Sequence, residues 1–145
     1  MIYLKKCSKG IVHFLYSVGY RKEHCITTIP GWIWSNKNYT NPFIRGLFDT
    51  DGSLALKKNH GRYKFYPVVR ITLKDRTLLL NVQKWIKIKG LNSNVSNESY
   101  FDKRTMKVYR KWGLQVSGYN NTRRWIDLIG SSNPKHIEKY GTSRI

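Results

Sequence analysis

The chain has 145 residues, of which 27 are Lys or Arg and only 8 are Asp or Glu, so its formal net charge at pH 7 is +19. With 40% hydrophobic and 14% aromatic residues it is too apolar for an intrinsically disordered basic tail, and no apolar run approaches the roughly 18 residues of a membrane span. So large a positive charge indicates a polyanionic partner, and nucleic acid is the first candidate.

The N-terminus lacks an apolar run of signal-peptide length, and the two cysteines, Cys7 and Cys25, form neither a disulfide framework nor a Cys-x-x-Cys pair. We therefore expect an intracellular, cytoplasmic protein, associated with the nucleoid or, in a eukaryote, organellar. A membrane surface is the weaker alternative as partner, because the basic residues are spread over the whole chain.

The first forty-one residues differ in pattern from the rest. Residues 10–19 have apolar side chains at helical spacing, with Ser8 as a cap and Gly19 as the end. Residues 20–41 are predicted to be irregular, with a turn at Pro30-Gly31. We expect residues 1–41 to form an N-terminal helical extension.

A second unit is predicted over residues 42–145. Asn41-Pro42 is typical of a helix start, Asp75 of a helix cap, and stretches with alternating apolar residues indicate strands. This order of elements predicts an α+β domain with an antiparallel sheet. The predicted helices are 42–51, 75–89, 122–129 and one from 133, and the predicted strands are 53–58, 63–73, 94–101 and 105–117.

One face of the predicted sheet is rich in basic and polar side chains. A sheet that packs on helices buries one face and exposes the other. Cations bind phosphates, and Arg and Gln pair with base edges, so we interpret the polar face as a DNA-binding surface and not only as a solvated one. Its predicted members are Lys57, Lys64, Tyr66, Arg70, Thr72, Lys107, Tyr109, Lys111 and Gln115.

Two of the eight acids, Asp49 and Asp51, lie two residues apart where the helix ends. The helix dipole disfavours a carboxylate there by ~0.3–1 kcal/mol, whereas a bound divalent cation would make the arrangement favourable. Gly46 and Thr50 share one face of the same helix, where a second helix could approach closely. If that helix belongs to a symmetry-related copy, two Asp51 carboxylates converge and, with Mg²⁺, form a site for phosphodiester hydrolysis. The alternative is that the acids, with Gly52, only shape the junction between helix and strand.

The segment Ile44-Arg45-Gly46-Leu47-Phe48-Asp49-Thr50-Asp51-Gly52 resembles the LAGLIDADG motif of homing endonucleases, with Arg45 in place of the usual small residue. The order of predicted elements over roughly residues 42–140 is also that of the family. The resemblance implies an αββαββα domain with a saddle-shaped DNA-binding sheet, in an intron-encoded nuclease that cuts both strands of a long site with divalent metal. Because the chain has one motif, it implies a homodimer and a roughly palindromic target. Residues 1–41 would then be a brace or the remnant of a lost first half.

The resemblance also implies roles for individual residues. Asp51 and the backbone carbonyl of Gly52 are the expected ligands of Mg²⁺, or of Mn²⁺ in its place. A lysine of the last helical region is expected to polarise water or to balance charge, with Lys139 preferred and Lys135 second. An accessory polar position near the end of the second strand falls on Leu73, beside Thr72 and Lys74, and Arg70 is a candidate substitute.

The leading hypothesis is therefore a site-specific, metal-dependent DNA endonuclease. The first alternative is a splicing maturase that binds intron RNA, or a DNA-binding protein that does not cleave, on the same scaffold. A basic ribosomal or chromatin protein would explain the charge but not Asp49 and Asp51.

Overall fold

A computed structural model describes residues 9–23, 26–58 and 65–142. The helices are α1 (Lys9–Ser17), α2 (Gly31–Ser35), α3 (Lys37–Asp51), α4 (Arg76–Ile88), α5 (Tyr119–Leu128) and α6 (Pro134–Thr142). The strands are β1 (Arg21–Glu23), β2 (Ile26–Thr28), β3 (Gly52–Lys58), β4 (Phe65–Leu73), β5 (Asn94–Asp102) and β6 (Lys107–Ser117). No helix among the described residues is both long enough and apolar enough to span a membrane.

The main sheet has four antiparallel strands in the order β3-β4-β6-β5. Helices α3, α4 and α5 pack on one of its faces. The α+β architecture with an antiparallel sheet is therefore confirmed. The helix-covered core is centred on Phe48 of α3 and Trp125 of α5, both fully buried, whose ring centroids lie 5.5 Å apart in an edge-to-face arrangement. Burial of each such aromatic or aliphatic side chain stabilises the fold by roughly 1.5–3 kcal/mol.

The start of α3 was predicted wrongly. The helix begins at Lys37, and the side chain of Asn36 caps it by accepting a hydrogen bond from the Asn38 backbone at 2.9 Å. Asn41-Pro42 has the same sequence signature as a cap, but Pro42 lies inside the helix and is exposed. The cap is therefore Asn36, five residues before the predicted Asn41.

Two other local predictions need correction. Residues 21–28, expected to be irregular, include the short antiparallel pair β1 and β2, with Arg21 opposite Thr28. Helix α5, predicted over residues 122–129, begins earlier, at Tyr119, after Gly118 with a φ of +93°. Asp75, in contrast, caps α4 as predicted, because its carboxylate accepts from the Leu78 backbone at 3.0 Å. The division of the chain at residue 42 stays a prediction, and the Ser8 cap and the first two residues of the predicted strand 63–73 lie outside the described residues.

Candidate functional site

The face of the main sheet opposite the helices carries the predicted DNA-binding residues. Strand register places Lys57 opposite Tyr66, Arg70 opposite Gln115, and Thr72 opposite Gly113. Since side chains alternate along a strand, these positions share one face, while Leu54, Val69, Ile71, Leu114 and Val116 belong to the core on the other. The predicted residues that lie on the exposed face are Lys57, Tyr66, Arg70, Thr72, Lys107, Tyr109, Lys111 and Gln115; Lys64 lies outside the described residues.

Strand β5 adds side chains to this face that the sequence did not single out. Tyr100 stacks on Tyr109 across the strand pair, with ring centroids 5.5 Å apart and planes 22° from parallel. The Lys111 ammonium lies 5.5 Å from the centroid of the Tyr100 ring. An ammonium over an aromatic ring can bind phosphate while the ring contacts sugar or base, so the candidate DNA-binding surface extends to the outer edge of the sheet.

The same face contains an ion pair between Arg70 and Glu98. These residues belong to β4 and β5, which are separated by β6, and the pair passes over Gly113 of that middle strand. Glu98 was missed because β5 is polar on both sides and its sequence does not show which face is exposed.

Asp51 is the last residue of α3 and is exposed. The Thr50 hydroxyl lies 2.9 Å from the Gly46 carbonyl and 3.1 Å from Asp51 Oδ2. Gly52 then begins β3, and its N–H donates to the Phe48 carbonyl. A Cβ at residue 52 would collide with that carbonyl oxygen, so the sharp passage from helix to strand requires glycine. The helix thus ends by presenting Asp51 to solvent at the edge of the sheet.

The face of α3 formed by Pro42, Gly46 and Thr50 is also exposed. A Cβ added to Gly46 would have no neighbour within 4 Å. This small-residue face of α3, the helix that carries the motif and is called the motif helix below, therefore has room for a second helix, as predicted from the spacing.

Asp49 faces the other way and is bound within the fold. Its carboxylate accepts hydrogen bonds from Ser131 Oγ at 2.5 Å and from the Ser132 backbone at 2.9 Å, and Asn133 Nδ2 lies 3.4 Å from its carbonyl. These contacts span more than 80 residues of sequence. These contacts support the alternative in which Asp49 has a structural role, because they tie the segment before α6 to α3.

Asn41 and Arg45 extend this connection along α3. Asn41 Nδ2 donates to the Leu128 carbonyl at 2.9 Å, and Arg45 Nε donates to the Ile129 carbonyl at 2.7 Å. Both satisfy carbonyls at the C-terminal end of α5, which lack partners within their own helix. The arginine that departs from the motif therefore has a structural explanation.

His136 of α6 packs beneath the end of the motif helix. It is 6% exposed, its ring stacks on Phe48 with centroids 4.4 Å apart, and its Nδ1 lies 3.2 Å from Ser131 Oγ. Burial lowers the pKa of His136 below the usual 6.5, aided by the Lys139 ammonium and opposed by the Asp49 carboxylate and a hydrogen bond with the Gly52 backbone. At neutral pH the imidazole is therefore uncharged, so its 3.9 Å distance from Asp49 Oδ1 is not an ion pair.

His136 was not singled out in the sequence, because it shows no metal-ligand spacing. The one available signal of its burial is helical spacing: it lies four residues before the partly buried Tyr140, on the same face of α6. Lys135 and Lys139, also four residues apart, are exposed on this helix, and α6 packs against β3 next to the end of α3. The fold thus brings the segment with both candidate lysines towards the strand that begins at Gly52.

Leu73, the predicted accessory position, lies on the helix-covered face of the sheet. It pairs with Trp112, and both pack against the core. Thr72 and Arg70 are the residues near the end of β4 that lie on the polar face. Leu73 is therefore a packing residue, and the accessory role of Thr72 or Arg70 stays a prediction.

The donor set at the end of α3 suits Mg²⁺, which prefers oxygen ligands and keeps several waters. One chain offers the exposed Asp51 carboxylate, while Asp49 is engaged with residues 131 and 132. Among the described residues, no three His, Cys, Asp or Glu side chains form a metal-holding cluster. Besides the Asp51 carboxylate, the further oxygen ligands of a metal at this point could be the Gly52 carbonyl, water, a second copy or DNA.

Comparison with known proteins agrees with this geometry. The family model described as LAGLIDADG-like domain matches residues 38–130, which is well over half of the chain. The matched range contains all of α3 except Lys37, the whole main sheet, α4 and α5, and ends before α6. No curated protein matches the chain. From its motif helix, its antiparallel sheet and this match, the chain belongs to the LAGLIDADG family of homing-endonuclease-like and maturase-like proteins.

Proposed function

We propose that this protein is a site-specific DNA endonuclease that acts as a homodimer with a divalent metal ion. The observation that carries the proposal is Asp51: an exposed carboxylate at the C-terminal end of the motif helix, between a basic sheet face and an exposed small-residue helix face. DNA binding alone would not require an acid there, since it repels phosphate and is disfavoured by the helix dipole.

The exposed Pro42-Gly46-Thr50 face supports a homodimer in which the motif helices of two copies pack together. Small residues let two helix backbones come close, and a twofold axis would bring the same face of each copy into contact. Because Asp51 is one residue from Thr50, the two Asp51 carboxylates would then lie near that axis. Their mutual repulsion would be relieved by bound cations.

In such a dimer Asp51 and the Gly52 carbonyl would hold Mg²⁺ or Mn²⁺, which, when bound, supplies an activated water and neutralises charge on the phosphate. Asp51 would orient and hold the metal ion, because its carboxylate is exposed and lies 3.1 Å from the Thr50 hydroxyl. Lys139, or else Lys135, would offset the negative charge that develops on the cleaved phosphate, as an ammonium on the exposed side of α6 can do.

The polar sheet face would bind the duplex. Eight predicted contact residues lie on it in each copy, and four of them are Lys or Arg. Two copies related by a twofold axis would contact two half-sites, so the target is expected to be long and roughly palindromic. No feature of the described fold favours intron RNA over duplex DNA as the partner, so a maturase that binds intron RNA stays the alternative within this family.

The test is cleavage of a library of random duplex DNA in Mg²⁺, followed by sequencing of the cut ends. We expect double-strand cuts at one family of related sequences, and we expect Asp51→Asn to bind these sequences without cutting them. The matched control is Asp127→Asn, which removes an exposed acid of α5, and it should cut like the parent protein. Specific binding without cutting by the parent protein in Mg²⁺ or Mn²⁺ would instead make it a non-cleaving DNA-binding protein on this scaffold.

A further inference from the structure

The feature that the proposed function leaves unexplained is an acid in the middle of the DNA-binding face. Among the described residues of the main sheet, Glu98 and Asp102 are the acids on this face. Asp102 belongs to the β5–β6 turn, where its side chain accepts hydrogen bonds from the Arg104 backbone and the Thr105 hydroxyl. Glu98 lies in the middle of the outer strand β5, and its carboxylate reaches inward over β6, where a negative charge weakens the attraction for phosphates.

Glu98 pairs with Arg70 although their strands are not neighbours. Lys111, directly opposite Glu98 on β6, has its ammonium near the Tyr100 ring. The carboxylate instead reaches across β6 to the guanidinium. It can do so because the intervening residue is Gly113, where a Cβ would collide with Glu98 Oε1. Three residues on three strands therefore form one unit.

Stabilisation of the fold does not explain the unit formed by Arg70, Gly113 and Glu98. The side chains of Arg70 and Glu98 are 37% and 29% exposed. Ion pairs with such access to water contribute little to the free energy of folding. A glycine inside a strand also weakens it. The arrangement is better explained by what it presents to a ligand on the sheet.

The exposed chemistry of the unit matches a G·C base pair. In the major groove guanine offers the acceptors N7 and O6, while cytosine offers its N4 amino donor. Arg70 contacts Glu98 through Nη2, and a guanidinium has further N–H donors that can pair with guanine. A carboxylate accepts more than one hydrogen bond, so Glu98 can also accept from the cytosine amino group beside it.

We propose that Arg70 and Glu98, joined across Gly113, are a preformed reader of one G·C base pair in a fixed orientation in each half-site. Glu98 holds the guanidinium in place before DNA arrives, which lowers the entropy that Arg70 loses on binding. The proposal rests on the proposed function only in that the sheet binds duplex DNA sequence-specifically; it does not depend on cleavage.

The test is selection of bound sequences from a random duplex library, without divalent metal, by the full-length parent protein and its variants. The parent should select a motif with a G·C pair at one position of each half-site. Arg70→Ala should lose the preference at that position and keep it elsewhere. Glu98→Gln should reduce the preference for that base pair by roughly tenfold or more, because the carboxylate that fixes Arg70 and accepts from cytosine is gone.

Two further variants separate specificity from charge and from folding. Asp127→Asn removes one negative charge as Glu98→Gln does, but on α5 and outside the sheet, and it should leave the motif unchanged. Gly113→Ala should relax the same position as Glu98→Gln. Because Gly113→Ala strains the sheet, its melting temperature is measured first, and the nearly isosteric Glu98→Gln decides the outcome if Gly113→Ala does not fold.

Three outcomes would overturn the proposal. If Glu98→Gln selects the parent motif unchanged, the ion pair has no part in readout. If Arg70→Ala weakens binding equally for all sequences, Arg70 is a phosphate contact. If the parent protein selects no sequence at all, both this inference and the sequence specificity of the proposed function fail, whereas the first two outcomes leave the proposed function intact.

Discussion

Asp49 and Asp51 lie two residues apart in α3, yet we expect their replacement to have different effects on stability. Asp49→Ala removes the acceptor of the hydrogen bonds from Ser131 Oγ and the Ser132 backbone. Hydrogen bonds to charged groups contribute ~1.5–3 kcal/mol each. Because the Asp49 side chain is only 18% exposed, water replaces them incompletely, and we expect a loss of ~2–4 kcal/mol in the free energy of unfolding.

Asp51→Asn should leave stability unchanged or raise it slightly. The side chain is exposed and lies at the C-terminal end of α3, where loss of a negative charge gains ~0.3–1 kcal/mol from the helix dipole. The Asn side-chain oxygen can still accept a hydrogen bond from the Thr50 hydroxyl. In a dimer the change would also relieve repulsion between the two carboxylates.

Urea denaturation of the full chain, followed by circular dichroism, measures both effects. Protein concentration is kept constant, because the stability of a dimer depends on it. The midpoint for Asp49→Ala should fall well below that of the parent, while that for Asp51→Asn should match or exceed it. A parent-like midpoint for Asp49→Ala would refute the structural role of Asp49, and an equal loss for Asp51→Asn would refute the exposed position of Asp51.

Three further predictions concern pH, assembly and salt. Since the pKa of His136 is lowered in the folded chain, the unfolded chain binds this proton more tightly. The stability that the uncharged His136 contributes to the folded state is complete above about pH 6.5 and is lost as pH falls below it. In thermal melts, His136→Gln should therefore lose less stability than the parent protein between pH 7.5 and 5.5. A pH dependence equal to that of the parent protein would contradict the lowered pKa of His136. Gly46→Gln should sediment as a folded monomer, because the site is open in one chain but would be filled in the dimer; a retained dimer mass would exclude the motif-helix interface. Lys57→Ala should reduce the slope of log binding constant against log salt by roughly one, whereas Lys87→Ala, on the helix-covered side in α4, should not; equal slopes for the two variants would argue against the sheet as the DNA surface.

Much of the fold follows from local patterns. The alternation in β4 and β6 assigned the faces of the sheet correctly, because one face is buried against helices and a shift by one residue would expose the core. Asp75 was identified as a cap because cap chemistry is local. The start of α3 was missed because Asn41-Pro42 has the local signature of a helix start, whereas Asn36 caps the helix five residues earlier.

The parts of the site that the sequence did not show depend on contacts between distant residues. Asp49 reaches Ser131, 82 residues away, and Glu98 reaches Arg70 over a strand that comes later in the chain than either. His136 is held by Phe48 of another helix. No periodicity or spacing encodes such pairings, whereas Asp51 was found because an acid at a helix C-terminus is unusual on local grounds.

We propose that Asp51 makes this LAGLIDADG-like fold a nuclease. The most direct test of this proposal is the rate of double-strand cleavage of the selected site in Mg²⁺, measured for the parent protein and for Asp51→Asn at DNA concentrations that saturate both. We predict cutting by the parent protein and none by Asp51→Asn, although both bind the site. Equal cleavage rates, or no cleavage by the parent protein at full saturation, would contradict the claim.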